Sequence, residues 1–538
     1  MKVTRGIGGI SAVCVALAVC LPGISANGAS AAERTAKATR QDDMKRQRKK
    51  AAHRKRRIIF DNDGNEPVYY LDKATREAFL KCRTTGVVGT QVDTIVYCTW
   101  SSGFGVFTHN TKVGQVFTCT AEGFSKNKTQ QFIDQGADVL KIMVDYCRKN
   151  DIEIFWSMRM NDTHDAWGGW YSPYLFPKLK KDHPEWLVGS KDKRPKCGAW
   201  SAVDFSHHQI RDLAFEYVEE VCQNYDVDGV MLDFLRHPLY FKCHAWGQPA
   251  GPEELDKMTS LIRRIRRMAD QEGAKRGRPI LIATRTPDSV GHAKAMGLDI
   301  VRWMKDGLID LLVVSGYFRL NPWETTVKLG HQYGVPVYPC LSETRIKDKQ
   351  AHKARASLEC YRARAANVWA SGADGVYLFN YFNPNSPLWR QLGDPKTLAG
   401  LDKVYTTGAR GISVINRWMA GGMRFFKRSH LSPERPRKLE PGKPVTVELP
   451  VGEDLGAAAP KITLRLRIDK LGDAKDVSVK LNDQPMSGGA LKDAWVEYAL
   501  TPTLVKRGVN RFEFTLNPAS KAKPVLQDLL LWVRYEKG

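Results

Sequence analysis

From Arg57 to about residue 400 the chain repeats one pattern: a short apolar run, a polar or aromatic loop, then hydrophobic residues at helical spacing. The apolar runs are Ile58–Asp61, Asp93–Trp100, Ile152–Met160, Gly229–Asp233, Ile280–Thr284, Leu311–Tyr317, Val335–Leu341 and Gly375–Asn380. They are continuous rather than alternating, which marks strands covered on both faces and hence a parallel sheet. Helical spacing fills the intervals, as in Gln130–Arg148, Ser206–Tyr225, Glu253–Gln271, Ala293–Asp306 and Lys353–Ala370. Eight strand–helix units in succession predict a (β/α)8 barrel, an α/β fold, over residues 58–428. A doubly wound open sheet is the alternative, but no Gly-rich nucleotide turn follows the first strand.

Beyond residue 400 the alternation stops. Residues 429–444 are rich in Pro and charge and predict a linker. From Val445 come short strand patterns separated by turn signals: Val445–Leu449, Lys461–Ile468, Val477–Leu481, Trp495–Leu500, Arg511–Leu516 and Leu529–Tyr535. They predict a small antiparallel β-sandwich over residues 445–538, an accessory module with either a carbohydrate-binding or a structural role.

The amino-terminal end has a different character. Lys2 and Arg5, the apolar run Ile10–Leu21 and Ala29-Ser30-Ala31 read as a signal peptide over residues 1–31, with export to the periplasm, cell envelope or exterior. The run is too short for a membrane span, so no integral span is expected after cleavage. Val19 is large for the residue before a lipoprotein cysteine at Cys20, so cleavage is the preferred reading.

The net charge of +24 is unevenly spread. Residues 33–57 hold twelve Lys and Arg against Glu33, Asp42 and Asp43, a surplus of nine. Residues 32–57 are therefore expected to form a disordered basic tail with affinity for an anionic envelope polymer. Nucleic acid is not expected as a partner, because the segment lacks stacking aromatics and export leads away from it.

Nine cysteines lie beyond the leader: Cys82, Cys98, Cys119, Cys147, Cys197, Cys222, Cys243, Cys340 and Cys360. An odd number leaves at least one thiol unpaired. Cys197 and Cys243 fall in loops and are candidates for a bridge; Cys222 and Cys340 sit in apolar patterns and read as buried thiols. None has zinc spacing, and neither metal nor cofactor is expected.

In a barrel the carboxyl ends of the strands converge on one mouth. Read in order, those ends present Asp61, Asn62 and Asp63; Trp100; Arg159, Asn161 and Asp162; Asp233 and Arg236; Arg285 and Asp288; Tyr317 and Arg319; Glu343 and Arg345; Asn380 and Tyr381. The loops after the second, third and fourth strands are long and aromatic, among them His164-Asp165-Ala166-Trp167-Gly168-Gly169-Trp170-Tyr171. Aromatic faces suit the C–H surfaces of sugar rings, or else fill a minicore under the loops. Glycoside hydrolysis needs two carboxyl groups, and Asp233 and Glu343, three strands apart, are the candidate pair. Asp61, Asp63, Trp100, Arg159, Asp162, Arg236, Arg285, Tyr317 and Asn380 are candidates for substrate contact. Arg236 is alternatively a plain salt-bridge partner of Asp233. Gly64 occupies the fourth place after Asp61 rather than the sixth, so the acidic stretch there fails as a calcium loop.

Ala202-Val203-Asp204-Phe205-Ser206, Ile210-Arg211-Asp212 and Tyr225 through Asp233 resemble the secreted bacterial family-10-like glycosyl hydrolases. Gly297-Leu298-Asp299, Trp303, Gly307 through Asp310, Tyr317 and Gly372 through Val376 fit the same group. The resemblance covers roughly residues 57–400 and implies a TIM barrel acting on, or binding, a poly- or oligosaccharide. True family 10 xylanases carry Asn-Glu at the end of the fourth strand, where this chain has Leu232-Asp233-Phe234. The expectation is an exported glycoside hydrolase using Asp233 as nucleophile or base and Glu343 as acid. The alternative is a non-catalytic glycan-binding or envelope scaffold protein on the same barrel.

Overall fold

The computed structural model describes residues 31–63, 66–456 and 459–536; the expected leader lies outside them except for Ala31. Residues 1–43 and 44–538 form two compact units. Of the first, residues 31–43 are helical.

The second unit contains the expected barrel. Its strands are β1 (Ile58–Asn62), β2 (Val92–Tyr97), β3 (Glu153–Arg159), β4 (Gly229–Asp233), β5 (Leu281–Thr286), β6 (Leu311–Val314), β7 (Val337–Ser342) and β8 (Val376–Phe379). All pair in parallel, and β1 closes the ring by pairing with both β2 and β8. Side chains in a strand alternate between faces. Ile59, Val96, Phe155, Met231, Leu281, Ala283, Leu311, Val313, Tyr338, Cys340, Tyr377 and Phe379 form one buried cluster, the barrel interior. The opposite parity, with Ile58, Phe60, Ile95, Trp156, Val230, Leu232, Ile282 and Leu378, joins the larger core that includes the helices. Continuous apolar strands are what this double burial requires.

Interior parity carries the site. Two residues beyond Ile59 is Asp61, two beyond Met231 is Asp233, two beyond Ala283 is Arg285, and four beyond Phe155 is Arg159. The polar layer at the mouth is the apolar interior continued by one more pair of residues.

Two long helix patterns break where glycine permits. The pattern Gln130–Arg148 folds as Thr129–Asp134 and Val139–Lys149, with Gly136 at φ +77° between them and Asp138 capping the second helix by accepting from Leu140 and Lys141 N–H. The pattern Ala293–Asp306 folds as Val290–Ala295 and Ile300–Lys305. Gly297 between them has φ +91°, and a Cβ there would lie 2.3 Å from the Phe241 ring.

The segment expected to be a disordered tail is helical over Ala31–Ala52, and from Met44 it belongs to the second unit. Arg48 pairs with Asp270 and Asp310, and Arg57 with Asp93. Arg56 is fully buried and grips Glu153 with two bonds of 2.6 and 2.7 Å while donating to the carbonyls of Ala51 and Ala52. Glu153 opens β3 and also accepts from Thr94 of β2. The chain thus plugs the amino-terminal end of the barrel with a satisfied ion pair. Charge in this segment is not all solvated: Lys45, Lys49, Lys50, Arg54 and Lys55 are exposed, whereas Arg48 and Arg56 have carboxylate partners.

The accessory module is a pair of antiparallel sheets, as expected, but its limits differ from residues 445–538. Lys403–Thr406, placed by the sequence pattern in the barrel, pairs with the last strand, Val525–Arg534. Arg437–Lys438 of the expected linker pairs with it too, and Leu431 and Leu439 enter the module's core. Arg355, on the helix Lys349–Ala356, makes two 2.7 Å bonds to Asp528 with both side chains buried. This bidentate pair holds the last strand against the barrel. Cys222 and Cys340 are buried thiols as expected; the nine cysteines among the described residues are all free, so Cys197 and Cys243 form no bridge.

Replacing Arg56 with Leu should cost about 3–5 kcal/mol of stability, because Glu153 is left charged and buried. Urea unfolding should show the loss, and a Glu153→Leu change added to it should recover a large part. An Arg56→Leu chain unfolding at the wild-type midpoint would show that the plug carries no stability.

Candidate active site

The mouth of the barrel is floored by interlocked arginines and carboxylates. Asp233 Oδ1 accepts from Leu235 N–H and from Arg285 Nε, each at 2.8 Å, and Oδ2 accepts from the same guanidinium at 2.5 Å. Arg285 reaches Asp61 at 3.4 Å on its other side, where the Tyr377 hydroxyl donates to Asp61 Oδ2 at 2.7 Å. Arg159 holds Asp63 through Nε at 2.9 Å and through a second nitrogen at 2.6 Å, and reaches Asp162 at 2.9 Å. Arg236 pairs with Asp63 at 3.0 Å. It therefore does not neutralise Asp233; Arg285 does.

The environments of these acids differ. Burial pushes Asp61 up to about 8, against the opposing pull of Arg285, and the neighbouring charges of Asp63 and Asp233 push the same way. Its Oδ1 is buried with no hydrogen-bond partner among the described residues. Burial also disfavours the charge on Asp63, but Arg159, Arg236 and Arg285 outweigh it and hold Asp63 well below the usual carboxylate range. Asp61 is accordingly the floor carboxyl that burial drives toward its acid form.

Beside this floor His164 donates from Nδ1 to Asp162 Oδ2 at 2.7 Å. Asp162 stays ionised, since His164 and Arg159 outweigh its burial. It also accepts from Ser102 Oγ and Gly103 N–H. His237 accepts the Thr163 N–H on Nδ1 at 2.7 Å, and burial keeps it neutral. Asp162, His164 and His237 bring ligand-type atoms within 4.8 Å of one another. Asp162 and the Nδ1 atoms of both histidines serve hydrogen bonds that orient the two rings.

Above the floor lies a cleft of roughly 400 Å³ lined by Trp167, Tyr171, Tyr317 and Trp418 together with His164, His237 and Arg236. A second lobe of roughly 320 Å³ is lined by Tyr69, Tyr70, Trp100 and Trp170 and shares His164, Tyr171 and Arg236 with the first. Arg236, Arg345, Lys347, Arg410 and Arg417 line the first lobe against a single carboxylate, Glu434. The backbone is left-handed at Trp100, Ser101, Ser315 and Asn380, where β2, β6 and β8 end. Strain of this kind gathers at functional sites.

The structure brings Asp61, Asp63, Arg159, Asp162, Asp233, Arg236 and Arg285 together at the barrel mouth. Tyr317 lies under the guanidinium groups of Arg236, Arg345 and Arg410. Asn380 donates its N–H to the Asp61 carbonyl. Trp100 is 5% exposed and packs against Tyr69, Phe117 and Phe124, so it serves a minicore that reaches the second lobe. Glu343 does not join Asp233. It is 49% exposed, pairs with Arg345 at 2.8 Å and is not among the residues lining either lobe. Tyr338, Cys340 and Ser342 follow interior parity on β7, so Glu343, one residue on, leaves the barrel toward the rim. Sequence reasoning missed His237, Arg410, Arg417 and Trp418 as lining residues. The last three belong to residues 408–426, which return to the mouth; the run of arginines and aromatics in Gly408–Phe426 was the available signal.

Residues 85–244 match the family model described as glycosyl hydrolase-like 10. The resemblance read from the sequence is thereby shown over that stretch, which carries Trp100, Arg159, Asp162, His164, Asp233, Arg236 and His237. No curated protein matches the chain. Among solved structures, α-L-fucosidase isoenzyme 2 from Paenibacillus thiaminolyticus is 14% identical with a TM-score of 0.39, over 64% of this chain and 49% of that one. The chain therefore spans about half the length of that protein. The PgaB (BpsB) glycoside hydrolase domain from Bordetella bronchiseptica is 9% identical with a TM-score of 0.39, over 63% of this chain and 98% of that one.

Asp61 gives the site a pH signature. A carboxyl raised by folding contributes most stability below its unfolded value near 4, and loses that contribution as pH rises through about 8. Asp61→Asn removes the titration, so the thermal midpoint of the variant relative to wild type should rise between pH 4 and pH 8. A constant difference across that range would mean that Asp61 is not the raised group.

Proposed function

We propose that this chain is an exported glycoside hydrolase acting on a poly- or oligosaccharide, with Asp61 and Asp233 as its carboxyl pair in place of Asp233 and Glu343. The observation that carries the reading is the sharing of one guanidinium by two carboxyls in unlike surroundings. Asp233 takes the Arg285 fork and the Leu235 N–H, whereas Asp61 keeps a 3.4 Å contact with the same guanidinium and is pushed toward its acid form by burial. A buried proton donor beside a second carboxyl fixed by arginine is the pairing that glycoside hydrolysis asks for. The glycosyl hydrolase-like match and the aromatic walls support a sugar as the bound group. The cationic lining supports a glycan bearing acidic groups. The exposed basic residues Lys45, Lys49, Lys50, Arg54 and Lys55 support retention at an anionic envelope polymer. Among the described residues no helix is long and apolar enough to cross a membrane.

One observation favours a second reading, a glycan-binding protein without catalysis. Asp61 and Asp233 are each 2% exposed, and every floor carboxylate except Asp61 has its charge answered by arginine at 3.0 Å or less. A substrate must displace part of this network to meet either acid.

The two readings separate in one experiment on acidic and neutral glycans. For a hydrolase, Asp233→Asn and Asp61→Asn should each lower kcat on the order of a thousandfold. Tyr171→Ala should weaken binding roughly tenfold through loss of an aromatic face that lines both lobes. Saturable binding with no cleavage by wild type, still sensitive to Tyr171→Ala, establishes the binding reading. Cleavage that survives both Asp substitutions within a few fold removes the carboxyl pair.

A further inference from the structure

A second polar cavity lies beside the cleft, between the ends of β6 and β7, the helix Leu358–Ala370, residues 406–412 and 428–430, and Pro450 of the accessory module. Its volume is roughly 70 Å³, room for a few waters or one small anion. Four arginines line it: Arg319, Arg364, Arg410 and Arg428. No carboxylate is among its lining residues.

The arginines there are treated differently from those of the floor. A guanidinium has five N–H donors. Arg319 spends one on the Asn321 carbonyl at 3.0 Å, Arg364 one on Ser342 at 2.9 Å, and Arg428 one on Thr407 at 2.8 Å. Among the described residues none of these three is in an ion pair with a carboxylate. Arg410 donates to the Glu343 carbonyl at 2.7 Å and keeps only a 3.6 Å contact with its carboxylate. Asp288 and Glu324 lie near enough to pull on the group but bond to neither guanidinium: Asp288 accepts from the Leu320 and Asn321 N–H groups, and Glu324 is exposed. Burial lowers Arg428 to about 10 against the pull of Asp288 and Glu324, and the neighbouring charge of Arg364 adds to the lowering; Arg319 is lowered by burial and then by Arg428. Three cations gathered with no carboxylate in bonding contact cost stability unless a ligand offsets it.

We propose that this cavity is an anion site that takes a tetrahedral oxyanion, a phosphoryl or sulfuryl group, on Arg319, Arg364 and Arg428. Three guanidinium groups arriving from three separate segments offer more donors than the two oxygens of a carboxylate accept, whereas phosphate or sulfate uses them. Trp323 under Arg319, at 3.9 Å, and Tyr361 near Arg364, at 5.0 Å, brace two of the guanidinium groups. Arg410 lines this cavity and the cleft alike, so an anionic group carried on a bound glycan and a free inorganic anion are both admitted. The site is independent of whether the cleft hydrolyses its sugar.

Inorganic phosphate and sulfate, titrated calorimetrically into the full chain at constant ionic strength, should each show one saturable site. Arg364→Gln and Arg428→Gln should weaken it at least tenfold, whereas Arg390→Gln, at an exposed position that lines neither cavity nor cleft, should leave it unchanged. Without anion, the thermal midpoints of the first two variants should equal or exceed wild type, because a repelling charge is gone. Should either glutamine variant fail to fold, Arg364→Lys keeps the charge but loses the fork, and the same weakening is expected. Glucose 6-phosphate binding more tightly than phosphate assigns the site to a sugar-borne group; equal or weaker binding assigns it to the free anion. No saturable binding of phosphate or sulfate, or equal affinity in wild type and the variants, overturns the site.

Discussion

Arg285 is the residue on which the mouth of this barrel depends. It stands on β5, inside the ring, and its one guanidinium joins Asp233 of β4 to Asp61 of β1 across the interior. A charge at that depth is tolerated only with partners, and here the partners come from strands far apart in sequence. Arg159 does the same for Asp63 and Asp162, and Arg236 ties Asp63 to the loop after β4. Each acid is therefore positioned by a neighbour that is itself fixed. The floor is rigid before any ligand arrives, which is what a site that orients a reacting group needs.

The same device recurs at the opposite end and at the flank. Arg56 with Glu153 closes the amino-terminal end, and Arg355 with Asp528 joins the helix Lys349–Ala356 to the last strand of the module. Both pairs are bidentate and buried, so they fix direction as well as proximity. Docking the module in this way has a consequence for the site. Residues 408–426 leave the module's sheet after Thr406, cross the barrel mouth with Arg410, Arg417 and Trp418, and return at Leu431. The accessory sheets are thereby the anchor of one wall of the cleft.

The barrel was legible because its signal is redundant: eight apolar strands of double burial cannot be mistaken for surface sheet. Period two carried the floor as well, since Asp61, Asp233, Arg285 and Arg159 continue the interior parity of Ile59, Met231, Ala283 and Phe155. Glu343 has the charge and strand number of a partner for Asp233, but its parity turns it away from the interior. The basic helix shows the opposite case. Composition counts charge but not partners, and Arg48 and Arg56 find theirs in Asp270, Asp310 and Glu153, more than ninety residues away. The module's true start at Lys403 was hidden because its pairing partner is the last strand of the chain.

What distinguishes the two arginine populations is where their counter-charge comes from. Floor arginines have it within the fold: removing a carboxylate there strands a cation, and the cost falls on stability. Wall arginines, Arg319, Arg364, Arg410 and Arg428 beside the cleft and Arg345 and Arg417 in it, have carbonyls, aromatic rings or half-exposed Glu343 instead. Guanidinium groups held by their edges on carbonyls and by their faces on rings remain positively charged toward the solvent side. A neutral sugar would gain little from such a wall, whereas an acidic one would supply the charge that the fold omits. On the proposed reading the floor sets where chemistry would occur, and the wall sets which ligands are drawn to it.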